Sequence, residues 1–263
     1  MREQSAKKLK YKNAFLPHLV ELITRNTMKE IKEDGPALIC IPDISGFTRF
    51  MAETDLAFSR KIIPPLLRCL VASNTLSLNV GEVEGDAILF YRFGDLPSLK
   101  ELTEQSKKFY NDFNAELESL KQQFPEDFGK YISTTKLSLK IILHAAEMTS
   151  THIEGMIKLI GEDVVVVHKL LKNSVEDAEY ILFSEKLLSH YGEDEVNELL
   201  NWDTLKDGKD EYEYIGEVKY KYISLVPAQQ NTTPLKNNGR PVLPKITPLR
   251  SQARSAQQSK EPL

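Results

Sequence analysis

The chain reads as an α+β protein, one sheet with helices on one face, in the order β-α-α-β-β-α-β-β-α-β. Three observations predict this. Short apolar runs that end in turn residues alternate with long stretches of helical period. The run "LSLNVGEVEGDAILFYRFG" is β-branched and aromatic and folds back on itself at "EGD". A composition of 41% hydrophobic and 27% charged residues supplies a core and excludes disorder of the whole chain.

Taken in order, residues 1–36 predict an amphipathic helix. Phe15, Leu16, Leu19, Leu22, Ile23 and Met28 recur at helical spacing, and Gly35 and Pro36 stop it. Its apolar face must lie on its own domain or on a second subunit. The body, 37–226, opens with the strand "ALICIPDI" and a turn. "RFMAETDLAFSRKIIPPLLRCLVASN" is helical, with an interruption expected at Pro64 and Pro65. After the hairpin comes a long helix, with Leu99, Leu102, Phe109, Phe113, Leu117 and Leu120 near one face.

"KLSLKIILHAAEM" alternates as a strand and "GMIKLIG" reads as another. "EDVVVVHKLLKNSV" is ambiguous: its valines favour strand, its "HKLLKN" helix. "EYILFS" is a strand, "EKLLSHYG" a helix, and "YEYIGEVKYKYISL" a closing hairpin. Residues 227–263 are rich in Pro, Gln, Asn and Ser without periodicity, and read as a disordered basic tail. That tail carries six Lys and Arg against one Glu, which suits either a contact arm or a solvated end.

A net charge of −4 argues against nucleic acid as the partner of the whole chain. No apolar stretch approaches the roughly 18 residues of a spanning helix, and no signal core follows the N-terminal lysines. The expectation is a cytoplasmic protein without membrane contact. Cys40 and Cys69 lie in apolar runs, as reduced core thiols do. His18, His152 and His190 share no metal spacing; His144 and His168 read as packed side chains, His168 less firmly.

Two acids stand where strands end or turn: Asp43 after the first strand and Asp86 in the hairpin. Adjacent strands would bring them together at one end of the sheet. Paired carboxylates repel unless a cation lies between them, and hard oxygen donors suit Mg²⁺ or Mn²⁺. Gly46 and Phe47 would form a turn whose N–H groups can meet a phosphate. Taken singly, each Asp also suits a helix cap or a turn.

"IPDISGFTRF" and "GEVEGDAILFY" resemble the two first signatures of the class III adenylate/guanylate cyclases. "LKIILHAAEM" and "IKLIGEDVVVVHKLLKNS" are similar to later segments of that family. The combination most resembles a bacterial cyclase-like group, DUF2652. The resemblance implies a ferredoxin-like core over about 37–226 and two divalent ions, Mg²⁺ or Mn²⁺, held by Asp43, Asp86 and the carbonyl of Ile44. Gly46, Phe47 and Thr48 match its triphosphate-binding turn. Glu82 and Lys158 fall at its base-reading positions; Glu82 matches the guanine type, whereas Lys158 matches neither type. Lys169 stands where the family has an Arg that offsets α-phosphate charge, and Val165 where it has a ribose-orienting Asn. The resemblance further implies a head-to-tail homodimer, with Lys169 of one chain approaching Asp43 and Asp86 of the other. The expected function is conversion of a nucleoside triphosphate to a 3′,5′-cyclic nucleotide and pyrophosphate. The alternatives are a non-catalytic nucleotide-binding or regulatory module and a scaffold with structural acids.

Overall fold

A computed structural model of the chain describes residues 34–131, 136–153, 156–199 and 205–225. The expected N-terminal helix, the basic tail and Trp202 lie outside the described residues. The elements are β1 (Asp34–Ser45), α1 (Phe47–Glu53), α2 (Leu56–Ala72), β2 (Asn79–Glu84), β3 (Ala87–Phe93), α3 (Leu99–Gln123), α4 (Pro125–Lys130) and β4 (Ser138–Ile153). There follow β5 (Met156–Ile160), α5 (Glu162–Leu170), β6 (Tyr180–Ser184), α6 (Glu185–Leu188), α7 (Glu193–Leu199), β7 (Leu205–Tyr212) and β8 (Gly216–Ser224).

One sheet runs β2-β3-β1-β4-β6-β8-β7, with β5 paired to β4 off this path. β1 is central and antiparallel to both β3 and β4. β4 and β6 are parallel, joined by a connection that carries α5. The α+β class and the predicted hairpin are therefore present.

Alternation along β1 divides its side chains between two cores. Leu38, Cys40 and Ile44 pack with Ile62, Leu66 and Leu70 of α2 and with Phe109, Phe113 and Leu117 of α3. Ala37, Ile39 and Ile41 pack instead with Val166, Val167 and Leu170 of α5. The helices thus do not all lie on one face. β1 is buried continuously from Ala37 to Ile44, and a central strand apolar on both sides needs cover on both. The ambiguous valine segment resolves as helix for the same reason: Asp163, Val166, Val167 and Leu170 are buried at helical spacing.

α2 runs unbroken through Pro64 and Pro65, contrary to the interruption expected there. The carbonyls that the prolines leave without an N–H belong to Arg60 and Lys61, which are exposed to water, while Ile62, Ile63, Leu66 and Leu67 hold the helix to the core. The break falls earlier, at Thr54–Asp55, where the Asp55 side chain caps α2 by accepting from Phe58 N at 2.8 Å. α3 begins on a reciprocal cap: Ser98 Oγ accepts from Glu101 N, and Ser98 N donates to Glu101 Oε2 at 2.8 Å.

β7, "LKDGKDEY", is too polar to read as a strand. It pairs only with β8, as an edge strand, and is tied by the cross-strand pairs Lys209–Glu217 (2.7 Å) and Lys221–Asp207. Among the described residues no helix is long and apolar enough to cross a membrane.

Candidate functional site

The site forms where β1 ends against the β2–β3 turn. Asp43 lies opposite Ala87 of β3, next in sequence to Asp86, and Ile44 N donates to the Asp86 carbonyl at 3.0 Å. This hook sets the two carboxylates side by side. Burial and then the charge of Asp43 push Asp86 up to about 6. Asp43 itself is 8% exposed. Beside the pair, Gly46 sits at φ +83, and a Cβ there would stand 2.6 Å from the Lys136 carbonyl, so only glycine fits. The α1 N-terminus that follows has no side-chain cap, which leaves the N–H groups at its start free of a side-chain acceptor. The Phe47 ring lies against Gly85 and packs the first turn on the second. Thr48 is exposed.

The chain brings a cation of its own to this place. Lys140 of β4 is directly opposite Asp43, and its Nζ lies 3.1 Å from Asp43 Oδ2 and 2.8 Å from the Leu171 carbonyl at the end of α5. Sequence reading missed it. The signal was a lysine inside the buried run "LSLKIILH", where charge is rarely placed without a partner.

Glu82 and Lys158 meet. Their side chains form an ion pair between β2 and β5. Burial raises Glu82, but the Lys158 ammonium outweighs it and holds the carboxyl below its ordinary value. A small cleft beside them is lined by Glu84, Ala87, His168 and Leu171.

Among the described residues no hydrogen bond or ion pair joins Lys169 to Asp43 or Asp86. Val165 and Lys169 are both exposed and stand four residues apart on α5, facing away from its own core. The valines of α5 divide: Val166 and Val167 are buried in the chain's own core, whereas Val165 is 50% exposed.

The start of α5 is held by a second buried acid, which sequence reading also missed. Asp163 Oδ2 accepts from Glu147 N and from Lys186 Nζ, both at 2.6 Å, and Asp163 Oδ1 lies 3.1 Å from His144 Nε2. His144 Nδ1 lies 2.8 Å from Ser184 Oγ, which also accepts from Leu187 N and so caps α6. Burial opposes ionisation of Asp163, but His144, the Glu147 N–H and Lys186 together hold it far below the carboxylate range. His144 and Ser184 are almost wholly enclosed, so this constellation acts as a clamp. His144 is thus the packed core histidine expected.

The donor set at Asp43 and Asp86 suits a hard divalent cation. It offers two carboxylates, and among the described residues no cluster of three or more His, Cys, Asp or Glu could hold a metal. Such a site leaves ligand positions to carbonyl, water and phosphate oxygens, which is the habit of Mg²⁺.

Comparison with solved structures places this architecture. The guanylyl cyclase Cya2 superposes with a TM-score of 0.52 at 15% identity, over 76% of this chain and 96% of that one. The catalytic core of a rhodopsin-guanylyl cyclase with converted specificity, in complex with ATPαS, gives 0.49 at 14% identity, over 75% and 99%. The body of the chain shares the fold of that guanylyl cyclase, Cya2. Within it, residues 63–180 match the family described as a protein of unknown function, DUF2652. An uncharacterized protein of Mycobacterium tuberculosis (strain H37Rv) is 28% identical over 148 residues, which span 56% of this chain and 66% of that protein.

Proposed function

We propose that the domain binds a purine nucleoside triphosphate with divalent cations and cyclises it. The observation that carries this reading is the carboxylate pair Asp43–Asp86, set beside an uncapped glycine turn at the end of the central strand. Mg²⁺ or Mn²⁺ bound by Asp43, Asp86 and the Ile44 carbonyl would neutralise triphosphate charge and make ionisation of the 3′-hydroxyl cheaper. The Gly46–Phe47–Thr48 backbone faces the phosphates. The 3′-oxygen attacks the α-phosphorus, the bond to pyrophosphate breaks, and the hydroxyl proton passes to solvent.

Glu82 and Lys158 suit the edge of guanine. The carboxylate accepts from N1–H and the 2-amino group, and the ammonium donates to O6. Lys169 is exposed on the outward face of α5, free to meet a second subunit, which supports a head-to-tail homodimer in which it reaches the partner's α-phosphate. The exposed apolar side chains Ile153, Met156, Ile160 and Val165 lie on β4, β5 and α5 and supply a surface for that partner. Free Cys40 and Cys69 accord with a cytoplasmic setting.

A second reading is a non-catalytic nucleotide-binding regulator. Val165 favours it, since it cannot hydrogen-bond a ribose, and loss of one positioned donor can cost about 10²–10³ in rate. Incubation with each nucleoside triphosphate and Mn²⁺ separates the two: cyclic product and pyrophosphate support the cyclase, metal-dependent binding without product supports the regulator. Mixing Asp43→Ala and Lys169→Ala chains tests the shared site. Random assortment should restore about a quarter of wild-type turnover from two nearly inactive proteins. No recovery, or turnover by a strict monomer, would remove the shared site.

A further inference from the structure

We propose that Lys140 is a built-in counter-ion that latches the end of α5 to the carboxylate site, so that a divalent cation binds there by displacing it and frees that end of the helix. The inference rests on the divalent-site reading above and adds a coupled motion to it.

The geometry begins with register. Asp43 and Lys140 are paired residues of neighbouring antiparallel strands, so their side chains project from the same face. It is the face covered by α5, since Ile41, two residues earlier, packs in that core. Lys140 has three N–H donors. One meets Asp43 Oδ2 at 3.1 Å and one meets the Leu171 carbonyl at 2.8 Å. Its side chain is 19% exposed, which places this contact out of bulk water.

Leu171 caps α5, where carbonyls lack helical partners and carry the negative end of the helix dipole. A single ammonium therefore neutralises Asp43 and holds the helix end together. A dication ligated by Asp43 takes over the first task and repels the ammonium that performs the second.

The two ends of α5 are fastened differently. Asp163, at the start, is gripped by Glu147 N, His144 and Lys186. The other end is held by Lys140 and by Asn173, whose Nδ2 donates to the Leu170 carbonyl and to Tyr180 OH. Displacing Lys140 thus loosens one end only, and the helix pivots on its clamped start. Val165 and Lys169 ride on its outward face, so the pivot changes how the helix presents them.

Hydrogen exchange in peptides covering 170–176 tests this directly, with the protein free and with Mn²⁺, alongside Mn²⁺ titrations followed by its paramagnetic resonance. In the wild type, Mn²⁺ should speed exchange of the Lys172 and Asn173 amides, which bond back to Lys169 and Leu170. Lys140→Met should exchange fast with or without metal and bind Mn²⁺ about tenfold more tightly. Lys140→Arg should behave as wild type, and Asp43→Ala should abolish binding. Equal Mn²⁺ affinity in wild type and Lys140→Met, with exchange in the wild type unmoved by metal, overturns the latch and leaves the metal site standing. No Mn²⁺ binding by either protein overturns both. The wild-type exchange experiment decides even if a variant misfolds.

Discussion

Asp43 and Asp163 have the same side chain and the same 8% exposure, yet their surroundings are opposite in design. Asp163 is surrounded by donors: a backbone N–H, an imidazole and an ammonium. Asp43 has one ammonium and, on its other side, a second carboxylate whose proton is held up to about 6. A fold spends donors on an acid it uses as a fastener. It leaves an acid short of positive charge where something else is to bring it. The contrast separates a structural carboxylate from the one proposed above to bind a cation, where burial alone cannot.

The largest effect that could break this contrast is on turnover. Asp86→Ala should lower cyclisation by at least about 10²-fold, measured as product formed with Mn²⁺, with the fold intact by circular dichroism. Asp163→Ala should act on stability instead. It strands His144 and Lys186 and a backbone donor, and should cost about 3 kcal/mol, roughly 6–12 °C in Tm. If the two variants exchanged these phenotypes, the assignment of fastener and site would be reversed.

A smaller effect has the opposite sign. Asp86 holds its proton more tightly when folded, so its contribution is complete below about pH 4 and is lost as pH rises through about 6. Asp163 runs the other way: its contribution is present above about pH 4 and is lost as pH falls below that. Asp86→Asn should therefore raise Tm of the metal-free protein at pH 8 by roughly 2–4 °C, about 1 kcal/mol after screening by solvent, and do little at pH 4. Thermal melts at both pH values check this; a variant less stable at pH 8 would contradict the like-charge account. Smallest is the base preference. Glu82→Gln should narrow discrimination among purine triphosphates several-fold in competition binding, without changing metal dependence.

Much of the architecture was legible because it rests on local rules. The "EGD" turn, the helical period of α3 and the strand ending at Asp43 each follow from a few neighbouring residues, and together they imply that two carboxylates meet. What was not legible depends on pairing between distant segments. Lys140 is an ordinary polar position of a strand until β1 and β4 are in register. Asp163 reads as a helix-start acid until β4 brings it Glu147 N and His144. The prolines of α2 mislead because the residues whose carbonyls they leave unpaired, Arg60 and Lys61, lie on the exposed side of the helix, while its other face is held by the core. β7 escapes notice because an edge strand needs no apolar face.

In the function proposed above, Asp43 and Asp86 hold the cation through which the domain engages a nucleotide. Calorimetric titration of a guanine nucleoside triphosphate into wild type and Asp86→Asn, each with Mn²⁺ and with chelator, tests it most directly. Tight binding is expected only for wild type with Mn²⁺, and weak, metal-independent binding in the other three cases. Equal affinity in all four would contradict it.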